Sequence, residues 1–462
     1  MKRLLILAAA AIALLAGCSQ YKYETVAGDP METKMYTLDN GLKVYMTVNK
    51  ETPRIQTYIA VKVGGKNDPS ETTGLAHYFE HLMFKGTEQF GTADYAAEKP
   101  LLDQIEALFE VYRVTEDEAE RAELYRQIDS ISYLASDIFI PNEYDKLMSV
   151  IGAEGTNAYT STDMTVYVED IPSNQIKNWA RIEADRFMHP VIRGFHTELE
   201  TVYEEKNMSL TNDFRKSLEA MDGILFADHP YGTQTVLGTQ EHLKNPSVTN
   251  IKNYHKTYYV PNNMAICLSG DFDPDEMLSI IEKYFGQMEP NTELPEVYFE
   301  TKTVIESPVS KEVYGLDAEN IMIGWKYPGA GTQEALVADV VSYILSNGSA
   351  GLIDLNLNQQ QKVLGAQAMS YTRPDAGEFL IMADPKQGQT LDEVKDLVLA
   401  EIAKLRAGEF DEALLTGTIN NMKLRQMRML ESNSDRADMF VQSFINGTDW
   451  ADEVAWIENL SK

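Results

Sequence analysis

Apolar and polar positions along the chain follow several distinct rhythms, and each predicts an element. Residues 35–46 read as a hairpin, because two β-rich runs flank Asp39-Asn40-Gly41, whose residues tolerate the positive φ of a tight turn. A strand rich in apolar and β-branched residues is expected over 55–63, ended by Gly64-Gly65. From 95 to 137 the apolar residues take up helical spacing. Leu101, Leu102, Ile105, Leu108, Phe109 and Tyr112 form one stripe, and Leu124, Ile128, Ile131 and Leu134 form another after an acidic helix start at 115–120. Two antiparallel helices with packing stripes follow from that pattern.

Further on, Thr165 to Val168 is strand-like, while the polar, Gly-preceded stretch 157–161 suits an exposed edge strand. A helix is expected over 174–189 before Pro190, another around 198–207, a loop over 228–232 and a helix over 247–259. The strand 264–270 turns through Asp271-Phe272-Asp273-Pro274 into an amphipathic helix carrying Met277, Ile280, Ile281 and Tyr284. The Pro- and Glu-rich region around 289–309 reads as a linker. Beyond it the order repeats weakly, with a strand at 321–325, a helix at 333–346, and a strand at 379–383 followed by a helix. The expected fold class is α+β, with two similar domains, each a mostly antiparallel sheet covered by helices. Their expected bounds are 34–290, with a helical insertion at about 95–137, then a linker at 291–309 and a second domain at 310–462.

Composition narrows the class. With 462 residues, 44% hydrophobic and 24% charged, the chain is an ordinary globular protein long enough for two or three domains. A formal charge of −31 argues against a nucleic-acid partner. An acidic surface favours basic or neutral peptides, or serves solubility alone. Lys2-Arg3, an apolar run from Leu4 and the ending Leu15-Ala16-Gly17-Cys18 resemble a bacterial lipoprotein signal. That resemblance implies removal of residues 1–17, lipidation of Cys18 and a polar tether over 18–33. The protein would then sit in the bacterial cell envelope, lipid-anchored and facing the periplasm, with the outer membrane as the expected site. The apolar run is too short to span a bilayer. Cys267, in the apolar run 264–268, is expected to be a buried core thiol.

The candidate chemistry lies in Gly74-Leu75-Ala76-His77-Tyr78-Phe79-Glu80-His81. On a helix His77, Glu80 and His81 fall at i, i+3 and i+4 and share one face. Two imidazoles one turn apart can both reach a Zn²⁺ ion, and the carboxylate beside them can activate a metal-bound water. The order is the inverse of the commoner His-Glu-x-x-His. The same stretch also fits a buried apolar helix, but burial without a ligand or a water-filled cleft would leave Glu80 desolvated among aromatic side chains. A third ligand is expected from the helix around 198–207, where Glu198, Val202 and Glu205 share a face; spacing alone does not separate Glu204 from Glu205. An edge strand at 157–161 beside such a metal would let an extended substrate add to the sheet. No histidine follows His255, so the second domain cannot repeat the motif, and one zinc ion per chain is expected.

With these residues assembled, the chain resembles the pitrilysin family of inverted-motif zinc peptidases, which includes insulin-degrading enzyme and the mitochondrial processing peptidase. The resemblance runs from about residue 34 to the end. It rests on the His77 to His81 motif with Phe84-Lys85-Gly86-Thr87, on Asn157-Ala158-x-Thr160, on Glu198 to Glu205, on His229-Pro230-Tyr231 and on Pro261-x-Asn263-Met264. It implies that His77 and His81 bind zinc, that Glu205 is the third ligand with Glu198 as its supporting glutamate, and that Glu80 is the general base. Asn157, Ala158 and Tyr159 would lie on the strand that receives substrate. Two departures stand out. His81 and Glu205 are farther apart than is common in the family, and the helical insertion accounts for the excess. The second domain also stops short of the family's further helix and strand, which implies the N-terminal half of a longer protein. A second peptidase half, from the same chain or a partner subunit, would supply a substrate-binding arginine and tyrosine. The expected function is a zinc endopeptidase acting on peptides or unfolded segments in an enclosed chamber. Two competing readings are a non-catalytic scaffold and a zinc amidase or esterase on another fold. The complete set of His77, Glu80, His81 and Glu205 opposes the first, and the edge-strand motif opposes the second.

Overall fold

The computed structural model of the chain describes residues 21–460. Cys18 and the signal region lie outside the described residues. The larger sheet has six strands: β1 (Lys34–Thr37), β2 (Lys43–Val48), β3 (Arg54–Val61), β4 (Glu154–Thr160), β5 (Thr165–Pro172) and β6 (Met264–Gly270). Their order is β1-β2-β6-β3-β5-β4, antiparallel except for the parallel β2–β6 pair. The expected hairpin forms with Gly41 at φ +90°, and β4 is an edge.

Alternation decides what covers each face. Val44, Met46, Ile59, Val61, Ile266 and Leu268 point into a core shared with the helices α1 (Leu75–Leu82), α2 (Tyr95–Tyr112), α3 (Glu118–Ser136), α4 (Ile176–Met188), α5 (Phe195–Ser209) and α6 (Val248–Tyr258), together with α7 (Pro274–Phe285). Their neighbours Tyr45, Tyr58, Ala60, Ala265 and the buried Cys267 point to the opposite face.

The smaller sheet has the order β7-β9-β8, from β7 (Ile321–Pro328), β8 (Gly365–Thr372) and β9 (Ala376–Asp384). The helices α8 (Gln333–Leu345) and α9 (Leu391–Ala407) pack on it around Phe379, Ile381, Val394 and Val398. A later helix, α10 (Asn433–Asn446), returns to the larger sheet and buries Phe440, Val441 and Phe444 on its second face.

The insertion forms the two antiparallel helices α2 and α3, with Asp117 capping α3. It also braces the centre of the molecule. The Phe109 ring meets Phe195 at 4.8 Å, and Phe195 meets Tyr78 at 5.0 Å.

Three expectations shift. Residues 21–33, expected as a polar tether, are held down: Met31 is buried, Tyr23 donates to Asp275 at 2.7 Å, and Asp29 accepts the Trp450 indole N–H at 2.8 Å. The apolar bodies of Tyr21, Tyr23 and Met31 supply the burial that a polar tether would lack. The region 228–232, expected as a loop, contains a short helix at Pro230–Thr233, because Pro230 suits a first helical position and His229 accepts the Tyr231 N–H. The irregular connection is longer than expected and fills 286–320. Among the described residues, no helix is long and apolar enough to cross a membrane.

Candidate metal centre

The site begins with the start of α1. The Asp68 carboxylate accepts the main-chain N–H groups of Gly74, Leu75 and Ala76 at 2.7, 3.1 and 2.9 Å and so caps the helix from outside it. Gly74 sits at φ +89°, and a Cβ there would lie 2.9 Å from the Leu237 carbonyl, so this corner requires glycine. Leu75, Phe79 and Leu82 bury one side of α1, and the Tyr78 hydroxyl donates to the Phe195 carbonyl at 2.5 Å. That bond fixes α1 against the start of α5, the helix carrying Glu198 and Glu205.

The remaining face of α1 presents His77 and His81 to α5. Their Nε2 atoms are 3.2 Å apart, and a Glu205 Oε2 atom lies 3.4 Å from the first and 3.6 Å from the second. Tetrahedral zinc with ligand distances of about 2.0–2.1 Å has ligand–ligand edges of about 3.3–3.4 Å. The three separations fit that triangle, and two nitrogens with one carboxylate oxygen are a suitable donor set for zinc. Glu204 instead accepts from Asn207 at 3.0 Å, away from the triangle.

Glu198 supports the site without joining the triangle. Its carboxylate accepts His81 Nδ1–H at 2.7 Å and pairs with Lys85 at 2.5 Å. The first bond leaves the His81 Nε2 lone pair free for a metal. Burial alone would raise the Glu198 pKa, but His81 and Lys85 outweigh it and hold it below the usual carboxylate range. For His81, burial works against the charged ring, yet the Glu198 bond and the charges of Glu205 and Glu80 raise its pKa. His77 is pushed down to about 4, first by burial and then by the neighbouring His81 charge. It therefore stays neutral, the form a metal ligand requires. Its Nδ1 is buried with no hydrogen-bond partner.

Glu80 lies beside the triangle at 8% exposure, with Oε2 accepting from the Thr160 hydroxyl at 2.8 Å. Burial raises its pKa, the direction that favours a proton acceptor working near neutrality. Thr160 ends β4, so the edge strand and the metal helix meet at this bond. A cleft of about 770 Å³ opens here, lined by His77, Glu80 and His81 of α1, by Glu198 and Glu205 of α5 and by residues 157–162. Asn157 and Ala158 border it, with Asn157 exposed at the sheet edge. Tyr159 borders the cleft too, but its ring packs toward the core under α10, where it bonds Asp438.

The cleft also includes Tyr231 of the His229-Pro230-Tyr231 motif and Arg215, Asp222, Tyr371 and Arg373, which sequence reasoning did not single out. Arg373 pairs with Asp222 at 2.7 Å and lies 4.0 Å over the Tyr231 ring. No local spacing links residues 215–231 with 371–373, so only the tertiary fold reveals this wall.

Known proteins resemble this chain in sequence and in fold. The family model described as insulinase, peptidase family M16, matches residues 43–100, and the peptidase M16 inactive domain matches residues 247–422. The zinc protease PqqE of Helicobacter pylori is 24% identical over 429 residues, spanning 89% of this chain and 84% of that protein. Among solved structures, a protease from Helicobacter pylori superposes with a TM-score of 0.74 at 21% identity, covering 93% of this chain and 92% of the other. The first half of the periplasmic protease PqqL from Escherichia coli superposes with a TM-score of 0.64 at 15% identity, covering 95% and 87%. With these matches over 43–100 and 247–422, and a fold shared with these proteases, the chain carries domains of the M16 family of insulinase- and pitrilysin-type peptidases.

Proposed function

We propose that this chain is a zinc-dependent endopeptidase that hydrolyses peptides or unfolded segments bound as an added strand along β4. One zinc ion per chain would be held by His77, His81 and Glu205. The observation that carries this reading is the Nε2, Nε2 and carboxylate triangle, with Glu80 beside it and a free sheet edge across the cleft.

A bound zinc ion supplies a Lewis acid that polarises the scissile carbonyl and lowers the pKa of water. Glu80 takes the proton from the attacking water and delivers it to the leaving amine. Thr160 holds the Glu80 carboxylate toward the cleft, and Glu198 fixes the His81 ring. The outer main-chain groups of β4 bond the extended substrate without reading its side chains, which suits unfolded segments of varied sequence.

The run ending Leu15-Ala16-Gly17-Cys18 supports a lipid anchor through Cys18 and a periplasm-facing place on the bacterial envelope. Likeness to the first half of PqqL supports a second peptidase half, from a longer chain or a partner subunit, that closes the cleft into a chamber. The charge of −31 supports peptide rather than nucleic-acid substrates.

Metal analysis combined with cleavage of a quenched peptide library tests the reading. Glu80→Gln should keep zinc and abolish hydrolysis, because it removes the base and spares the ligands. Turnover by Glu80→Gln at the wild-type rate would overturn the mechanism, and a wild-type chain that binds no zinc would overturn the site.

A further inference from the structure

A buried cation lies outside the metal triangle. The Lys66 side chain is 2% exposed, and its Nζ is 2.7 Å from Asp163 Oδ1 and 2.7 Å from Asp375 Oδ2. The Tyr298 and Tyr231 rings flank it at 5.3 and 5.7 Å. The three charged groups come from three separate places. Lys66 belongs to the turn before α1, Asp163 to the turn joining β4 and β5, and Asp375 to the turn joining β8 and β9 of the smaller sheet. Tyr231 stitches two of them together. Its hydroxyl donates to Asp163 Oδ1 at 2.6 Å and accepts the Asp375 main-chain N–H at 3.2 Å. His229 Nε2 lies 3.2 Å from the same Asp375 oxygen.

Stability alone gives little reason for this cluster, since well-packed apolar residues often serve a fold as well as buried ion pairs do. Its position gives a better one. The Gly65 and Lys66 N–H groups donate to the Ser161 and Thr162 carbonyls at 2.9 and 3.0 Å. A Cβ on Gly64 would lie 2.3 Å from the Ser161 carbonyl, so the two turns touch main chain to main chain. Asp68, two residues after Lys66, caps the metal helix, and Thr160, three residues before Asp163, holds Glu80. Lys66 therefore ties the end of the substrate edge to the turn leading into α1, while the start of α1 itself is held separately by the Asp68 cap. The turn that supplies Asp375 also carries Arg373, part of the cleft wall.

We propose that Lys66, clamped between Asp163 and Asp375, is a positioning residue through which the smaller-sheet domain sets the spacing of the β4 edge over the metal site. The inference rests on the endopeptidase reading. It gives the domain that carries no metal motif a defined part in substrate binding.

The test uses the full chain with three variants. Asp375→Asn removes the second domain's charge and leaves the Lys66–Asp163 pair; Tyr231→Phe removes one hydroxyl and strands no charge; Lys66→Arg is the conservative replacement. Zinc content, thermal unfolding, amide hydrogen exchange and peptide kinetics are measured on each. Asp375→Asn should keep its zinc, exchange faster over residues 154–163 but not over α1, and raise KM roughly tenfold for peptides long enough to pair along β4, with a smaller change in kcat. Tyr231→Phe should shift the same quantities in the same direction by less, and Lys66→Arg should retain most of the wild-type KM. Unchanged exchange and KM in folded Asp375→Asn and Tyr231→Phe would overturn the proposal. A fall in zinc content, kcat and stability in parallel would also overturn it, because that pattern marks a purely structural cluster. If Asp375→Asn fails to fold, Tyr231→Phe decides. If the wild-type chain cleaves no peptide, the endopeptidase reading fails, while the exchange data still judge the clamp.

Discussion

Glu198 and Glu205 stand two helical turns apart on one face of α5 and serve the same pair of histidines differently. Glu205 offers an oxygen to both Nε2 atoms, whereas Glu198 reaches around to His81 Nδ1. Glu205→Gln should therefore lose zinc and Glu204→Gln keep it; the reverse result in metal analysis would move the ligand by one position. Another single-residue prediction concerns acid stability. Burial holds the His255 pKa at about 4 against an ordinary 6.5, while its ring donates to the Phe187 carbonyl at 2.8 Å. Between those pH values the unfolded chain binds a proton that the folded chain refuses, so stability falls as pH drops through that window. His255→Gln should flatten this slope in denaturant titrations. The two histidines and Glu80 are legible in the sequence because a helical period fixes which residues share a face. Adjacent Glu204 and Glu205 are not separated by spacing; the family resemblance favours Glu205, and the placement of α5 against α1 sets its carboxylate beside both histidines.

At the scale of elements, the larger sheet depends on a helix from far along the chain. Phe440 of α10 is fully buried, stacks on Tyr45 at 5.6 Å and meets Trp450 at 4.8 Å. Phe440→Ala should cost about 3–5 kcal/mol in urea unfolding. It should leave zinc affinity unchanged, because α10 lies on the sheet face opposite α1. The strands of the larger sheet, β7 and β9 of the smaller one, α1 and the two insertion helices follow from local period and capping, whereas β8 is not among the expected strands. The docking of α10 does not, because an apolar stripe states that a helix is covered and not which sheet covers it. The ordering of residues 21–33 escaped for a similar reason: their partners Asp275 and Trp450 are hundreds of positions away.

For the whole molecule, a folded site that binds zinc must be stabilised by it. Zinc at about a hundred times its Kd should add about 2.7 kcal/mol to unfolding free energy, and a chelator should remove that increment. Thermal unfolding with and without zinc should show the shift in the wild-type chain and lose it in His77→Ala. An absent shift in the wild type would mean that the triangle does not bind the ion. The segments beside the two sheets meet through buried charge at Lys66 with Asp375, and Arg373 of the β8–β9 turn pairs with Asp222 of the helix Asp213–Leu225, so the cleft wall joins residues from distant parts of the chain.

The sequence by itself determined the helix with His77, Glu80 and His81, the edge strand at 157–160, the repeated strand and helix order and the α+β class. These follow from short periods, turn residues and caps, which act within a few positions of the chain. Tertiary structure decided the placement of Glu205 beside both histidines, the contact of Glu198 with His81, the hold of Thr160 on Glu80 and the Lys66 ion pairs. Each of these depends on side chains from distant segments arriving within a few ångströms of one another, a condition set by how the sheets and helices pack and not by any local pattern.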